Sequence, residues 1–193
     1  MKICIFGAAS DKIDEKYTDG CYALAKTLAK RGHDLVFGAG GEGVMGAAAR
    51  GFNENGGRTH GVIPKFFEEN GYEAVYAHLD ELTRTATMAE RKSIMEEQAD
   101  AFIIMPGGIG TLEEFFEVLT LKQLGRHRKA IAVYNDCGYY SGLIEYIDFM
   151  IAQKFVNAEC ESLFKVFKTQ KEVVDYIENY SANGVEWDLL KRN

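Results

Sequence analysis

Ala101–Gln123, AFIIMPGGIGTLEEFFEVLTLKQ, carries three signals in succession. Ala101 to Met105 is an unbroken apolar run that stops at Pro106, as a strand buried on both faces does. Gly107, Gly108 and Gly110 follow as a tight turn. Leu112, Phe115, Phe116 and Leu119 then recur at helical spacing. A strand, a glycine turn and a helix in that order bring bare backbone N–H groups and the positive end of a helix dipole to one place. Such a place favours an anion, most often a phosphate. Glycine suits it because a side chain would hold the anion off the backbone. Thr111 with Glu114 three residues on fits a capping box, in which the two side chains satisfy backbone donors at the helix start. The same spacing fits a functional pair, and spacing alone does not separate the two. Glu113 adds a second carboxylate. Two carboxylates beside a phosphate site repel the ligand, so one of them is expected to act on what the phosphate carries.

Working outward, strands alternate with helices. Lys2–Phe6 is the first strand, and Gly7-Ala8-Ala9-Ser10 turns out of it. Tyr17, Cys21, Leu24, Ala25 and Leu28 form a helix face that stops at Gly32. Asp34–Phe37 is a second strand, followed by a glycine-rich loop, Gly38–Gly46, and a small-residue helix from Ala47 to Glu54. Thr59–Ile63 is a third strand before Pro64. Lys65–Thr87 is the least patterned segment, although its aromatic residues suggest that it packs. Met88–Gln98 is a helix leading into the central strand. Ala130–Tyr134 and Leu163–Phe167 are further strands, with a helix at Gly142–Lys154 between them, and Val173, Val174, Tyr176, Ile177 and Tyr180 belong to a closing helix. The last dozen residues are expected to fray or to cover a neighbour.

This alternation predicts an α/β fold: a single Rossmann-like, doubly wound domain over residues 1–193. Its sheet is mostly parallel, with about six or seven strands and helices on both faces. In such sheets ligands bind beyond the C-terminal strand ends, where strand order reverses. The first strand and the Ala101–Met105 strand are expected to flank that point, so that Ser10's loop faces the Gly107–Thr111 loop.

The 193 residues suffice for one domain with a real core, and 47% hydrophobic with 26% charged residues is a globular balance. A net charge of −7 argues against a general nucleic-acid or anionic-membrane binder. The N-terminus reads as a first strand and not a signal peptide, and no apolar run approaches membrane-spanning length, so a cytoplasmic location is expected. Cys4, Cys21, Cys137 and Cys160 form no C-x-x-C pair, and His33, His60, His78 and His127 show no ligand spacing. No protein-held metal is expected.

The Gly38–Gly46 loop contains G-x-G-x-x-G twice. It follows the second strand, not the first, and no acidic residue ends the next strand to bind a ribose, so a dinucleotide site is discounted. A tight packing turn and a second wall of N–H donors remain open, the latter preferred. Met88, Met95 and Ala99 lie close together on a helical wheel, with Arg91 about 60° off that stripe. A half-inward arginine is either a structural ion pair or a two-point grip on a carboxylate or phosphate. Arg126-His127-Arg128-Lys129 reads as a solvated loop.

Three of these segments together resemble a known family. Pro106–Glu114 fits PGGxGTxxE, Met88-Ala89-Glu90-Arg91-Lys92 resembles M-x-x-R-K, and Gly38–Gly46 resembles a GGGxxGLMG loop. Over roughly residues 1–180 the chain resembles the "lonely guy" family of cytokinin riboside 5′-monophosphate phosphoribohydrolases, long labelled possible lysine decarboxylases. The resemblance implies a homodimer, without a cofactor, that hydrolyses the N-glycosidic bond of a nucleoside 5′-monophosphate to free base and ribose 5-phosphate. It carries the catalytic pair over to Arg91 and Glu114. It places the phosphate on Gly107, Gly108, Gly110 and Thr111. Further substrate contacts are expected from Leu112, Glu113, Lys92, Thr120, Ser10, Gly40, Gly41 and Gly43. Glu73 falls where the family has another substrate-contacting glutamate. The first loop, Gly7-Ala8-Ala9-Ser10, departs from the usual C-G-S-S, Ala89 stands where many members have histidine, and Ala39 replaces a glycine. A non-catalytic carrier of a phosphorylated pterin, as in molybdenum-cofactor carriers, and a broader nucleotide nucleosidase are the alternatives. A carrier has no need of the Arg91/Glu114 pair. No pyridoxal-phosphate lysine site is recognisable, and decarboxylation would need such an electron sink.

Overall fold

The computed structural model describes residues 1–182. Its strands are β1 (Lys2–Phe6), β2 (Asp34–Phe37), β3 (Thr59–Pro64), β4 (Glu81–Thr85), β5 (Ala101–Ile104), β6 (Ala130–Tyr134) and β7 (Lys165–Phe167). They form one parallel sheet in the order β4-β3-β2-β1-β5-β6-β7. β1 pairs with β2 through Lys2↔Asp34 and with β5 through Ile3↔Ala101, so strand order reverses between β1 and β5, as the sequence predicts. The expectation for the last dozen residues falls, from residue 183 on, outside the described residues.

Two apolar layers cover the sheet. Helices α1 (Glu15–Lys30), α2 (Gly43–Asn53) and α7 (Gln170–Asn179) pack on one face, around Leu24, Leu28, Phe37 and Phe52. Helices α4 (Met88–Gln98), α5 (Ile109–Gln123) and α6 (Ser141–Ala152) pack on the other, around Phe102, Phe115 and Val133. Burying each such large side chain contributes about 1.5–3 kcal/mol. A short helix, α3 (Lys65–Glu69), follows β3.

Local chemistry sets the helix starts. Asp14 accepts from Lys16 N at the head of α1, and Thr169 with Glu172 forms a full capping box on α7. The structure corrects several of the expected elements. α2 begins at Gly43, not Ala47. α5 begins at Ile109, two residues before Thr111. β4 lies inside the segment that lacked a pattern. β7 is shorter than expected, because Leu163 caps a 3-10 helix at Ala158–Ser162 and so cannot start the strand. Of the basic loop before β6, Arg126 and Arg128 are exposed, while His127 and Lys129 fold back onto the carbonyls of Val118 and Glu96.

Candidate active site

Beyond the C-terminal ends of β1 and β5, which stay paired through Phe6↔Ile104, a cavity of about 370 Å³ opens. Its walls come from the Gly7–Ser10 turn, Met45 of α2, Phe67 of α3, Glu73, Met88 and Arg91 of α4, and Gly108, Gly110, Thr111, Glu113 and Glu114 at the head of α5.

α5 has Gly108 as its N-cap, with no side chain capping it. Leu112 N is the first amide to close a helical bond, onto Gly108 O at 3.0 Å. Helix geometry therefore leaves the N–H groups of Ile109, Gly110 and Thr111 without an intrahelical acceptor, at the positive end of the helix dipole. Gly107 must be glycine, because a Cβ there would lie 2.1 Å from Thr111 Oγ1.

The capping-box reading of Thr111 and Glu114 does not hold. Thr111 lies inside the helix, and the Glu114 carboxylate turns away from the backbone to Arg91, with Arg91 Nη1 donating to Glu114 Oε1 at 3.1 Å. Arg91 Nε donates to Val62 O at 3.1 Å. Arg91 is 5% exposed and Glu114 9%. The first turn of α4 aims the arginine: Thr87 accepts from Glu90 N, and Glu90 reaches back to Ala86 N. That pair fixes the helix register, so the next residue enters under the strand ends. Lys92, one residue further, pairs with Glu113 and, at 2.8 Å, with Glu117. The neighbours Arg91 and Lys92 thus pair with the neighbours Glu114 and Glu113. These cations offset part of the repulsion that two carboxylates beside an anion site would cause.

Burial pushes the Glu114 carboxyl up to about 7. Arg91 pulls against that shift, and the charges of Glu113 and Glu73 add to it. The arginine therefore does not keep Glu114 fully ionised at neutral pH, because desolvation outweighs it. Glu73 is also raised by burial, again opposed by Arg91, and its Oε1 is buried without a hydrogen-bond partner.

Two amides of the Gly38–Gly46 loop are spent within the protein. Gly41 N donates to Ala74 O at 2.7 Å, and Met45 N at the start of α2 donates to Ala8 O at 3.1 Å. Its glycines make room. A Cβ on Gly38 would lie 1.8 Å from Arg91 Nη2, and one on Gly40 2.3 Å from Glu73 Oε1. Ala39, which replaces a glycine, stands at φ 70°, in the left-handed region that glycine tolerates best.

Arg91, Glu114, Glu73, Glu113, Ser10, Gly108, Gly110 and Thr111 therefore meet at one cavity. Gly40, Gly41 and Gly43 stand behind the lining. Leu112 packs into the apolar layer, and Thr120 is exposed further along α5. The apolar wall of Met45, Phe67 and Met88 was not singled out as part of the site. Nor was Tyr139, whose hydroxyl donates to Gly107 O at 2.7 Å. The Tyr139-Tyr140 pair, following a turn after β6, was the available signal.

In a doubly wound sheet, the uncapped head of α5 and a buried acid one turn along that helix share one cavity, which is what binding and hydrolysing a phosphorylated ligand would require. The family described as possible lysine decarboxylase matches residues 45–177. The chain belongs to that family and, within it, to the "lonely guy" group. A probable cytokinin riboside 5′-monophosphate phosphoribohydrolase of Oryza sativa subsp. japonica, LOGL3, is 35% identical over 97% of this chain and 90% of its own length. The Arabidopsis thaliana cytokinin riboside 5′-monophosphate phosphoribohydrolase LOG7 is 36% identical over 99% of this chain and 90% of its own. Two solved structures share the fold. The molybdenum cofactor binding protein of Rippkaea orientalis has a TM-score of 0.69 at 20% identity, over 92% of this chain and 94% of that one. The molybdenum cofactor carrier protein of Chlamydomonas reinhardtii has a TM-score of 0.68 at 21% identity, over 92% and 95%.

Proposed function

We propose that this chain hydrolyses the N-glycosidic bond of a nucleoside 5′-monophosphate, a cytokinin riboside monophosphate or AMP, to free base and ribose 5-phosphate. The observation that carries the reading is the buried Arg91–Glu114 pair on the same cavity as the open head of α5. The 5′-phosphate sits on the N–H groups of Gly108–Thr111, and its binding energy positions the remote bond. Breaking C1′–N builds positive charge on the ribose, which the Glu114 carboxylate stabilises. Glu114 takes a proton from the attacking water, the water oxygen bonds to C1′, and the departing base leaves with the bond electrons and is protonated. A carboxyl near 7 suits a group that accepts and then returns a proton at neutral pH. Arg91 holds the carboxylate in place. Glu73, Met88 and Phe67 line the remaining wall, where ribose and base would lie.

The test is incubation with AMP and with isopentenyladenosine monophosphate, followed by chromatography. Free base and ribose 5-phosphate are expected in equal amounts. Nucleotide bound but returned intact would favour a carrier instead.

A homodimer is part of this proposal. α6 is strongly apolar, yet among its residues only Ile147 is buried, and Tyr146 and Phe149 stack on its outer face. Ile109 and Phe155, 88% and 78% exposed, add apolar surface. Light scattering on the eluted protein reads the mass directly, and a monomer would remove this element of the proposal.

A further inference from the structure

Three successive carbonyls lead into α5, and each is occupied from outside the turn. Met105 O accepts from the Tyr140 hydroxyl at 2.7 Å, Pro106 O from Ala8 N at 3.1 Å, and Gly107 O from the Tyr139 hydroxyl at 2.7 Å. The Gly107 amide faces the Tyr140 oxygen. Gly108 is thus the first residue of the turn whose amide is left to face a ligand.

The direction of the Gly107–Gly108 peptide decides what that ligand meets. A trans peptide points its C=O and N–H in opposite directions. With the carbonyl held on Tyr139, the Gly108 N–H points away from that ring; Gly108 lies between the cavity that Tyr139 lines and the Arg91–Glu114 cavity. If the peptide flipped, a carbonyl oxygen would face the phosphate and repel it. A peptide between two glycines meets little steric resistance to such a flip. A stiffer residue at Gly107 is barred by Thr111, as described above. The restraint has to come from elsewhere, and the Tyr139 hydroxyl supplies it. The Tyr139 ring is itself fixed, edge-on to Tyr17 at 5.5 Å and to Tyr140 at 5.0 Å.

Tyr140 provides an internal control. Its hydroxyl donates to Met105 O, ahead of Pro106, which has no N–H to aim, and it takes the Gly107 amide, which is thereby held on Tyr140 and not offered to the cavity. It is buried, and it anchors the end of β5 without orienting a donor into the cavity.

We propose that Tyr139 is a positioning residue for the phosphate-binding turn, its hydroxyl holding the Gly107–Gly108 peptide with the carbonyl away from the substrate phosphate and the amide toward it. This rests on the function proposed above. The experiment measures ribose 5-phosphate binding by calorimetry, with AMP kinetics alongside, for the wild type, Tyr139→Phe and Tyr140→Phe. Tyr139 is 45% exposed, so its phenylalanine variant is expected to fold. Tyr139→Phe should weaken ribose 5-phosphate about tenfold and raise KM for AMP to match, with kcat within about twofold. Tyr140→Phe should lower the melting temperature and leave ribose 5-phosphate affinity within about twofold. Unchanged affinity in a folded Tyr139→Phe protein would overturn the assignment. So would equal weakening in both variants, which would mean general loosening of the turn. A wild-type protein that binds no ribose 5-phosphate would overturn the proposed function, and this assignment with it, before any substitution is compared.

Discussion

Replacing Gly38 by alanine adds one methyl group outside the cavity and should nearly silence it. Gly38 is not among the positive-φ glycines, so alanine fits its backbone and only the Cβ is new. That Cβ would lie 1.8 Å from Arg91 Nη2 and 3.2 Å from Met45 Sδ. Ordinary contact begins at 3.4 Å, so the guanidinium must withdraw by roughly 1.6 Å, the difference between the two distances. Arg91 holds two bonds of 3.1 Å, to Val62 O and to Glu114 Oε1, and it cannot keep both after such a move. A misplacement of about 1 Å costs about a hundredfold in rate, so kcat/KM for AMP should fall about that much at pH 7. Glu114 would also lose the charge that opposes its burial, and the acid limb of its pH–rate profile should move above 7. Overpacking costs about 1–3 kcal/mol, which thermal unfolding will register without loss of the fold. Adenine release measured from pH 5 to 9 reads both effects. Gly142→Ala is the control, since a Cβ there meets nothing within 4 Å. A Gly38→Ala protein with wild-type kcat/KM and an unmoved acid limb would refute the role given to Arg91.

Glu114→Gln should keep AMP binding within a few fold while turnover falls at least about a hundredfold, checked by calorimetry and single-turnover assay. In the wild type, kcat/KM should fall as pH drops below about 7, where Glu114 gains its proton. Glu73→Gln should move that limb downward, because the Glu73 charge helps to raise Glu114. The same shift carries a stability sign. Folded Glu114 keeps its proton up to about 7 whereas an ordinary carboxyl releases it near 4.5, so its contribution to stability falls as pH rises through that window. Denaturant titrations should show Glu114→Gln gaining on the wild type between those limits. Lys122 is buried with its ammonium on Leu163 O at 2.6 Å, and burial lowers it to about 8 from 10.5. The folded state therefore releases this proton first, and stability should rise between pH 8 and 10.5. Lys122→Met should abolish that rise and stabilise the protein at pH 7 by about 1 kcal/mol, or about 2–4 °C in Tm.

The buried strands were legible because parallel strands covered on both faces are continuous apolar runs, as in Ile3–Phe6 and Ala101–Ile104. The edges were not. β4 is Glu-Leu-Thr-Arg-Thr with two exposed charges, and no apolar pattern survives where only one neighbour pairs. The start of α2 was hidden by Gly43, a helix residue at φ 56° that reads as loop. At the site, Arg91 could be placed half-inward by its helical angle, but its partner lies 23 residues away and only the fold joins them. The glycines of Gly38–Gly46 suggested donors because glycine next to a helix often binds anions. Gly38 and Gly40 also admit the Arg91 and Glu73 side chains, a close approach that spacing does not encode.

The most direct test of the whole account is a single turnover of AMP in water enriched with oxygen-18. Free adenine is expected, with ribose 5-phosphate that carries one heavy oxygen at C1 and none on its phosphate. AMP recovered intact, or adenosine with labelled inorganic phosphate, would contradict it.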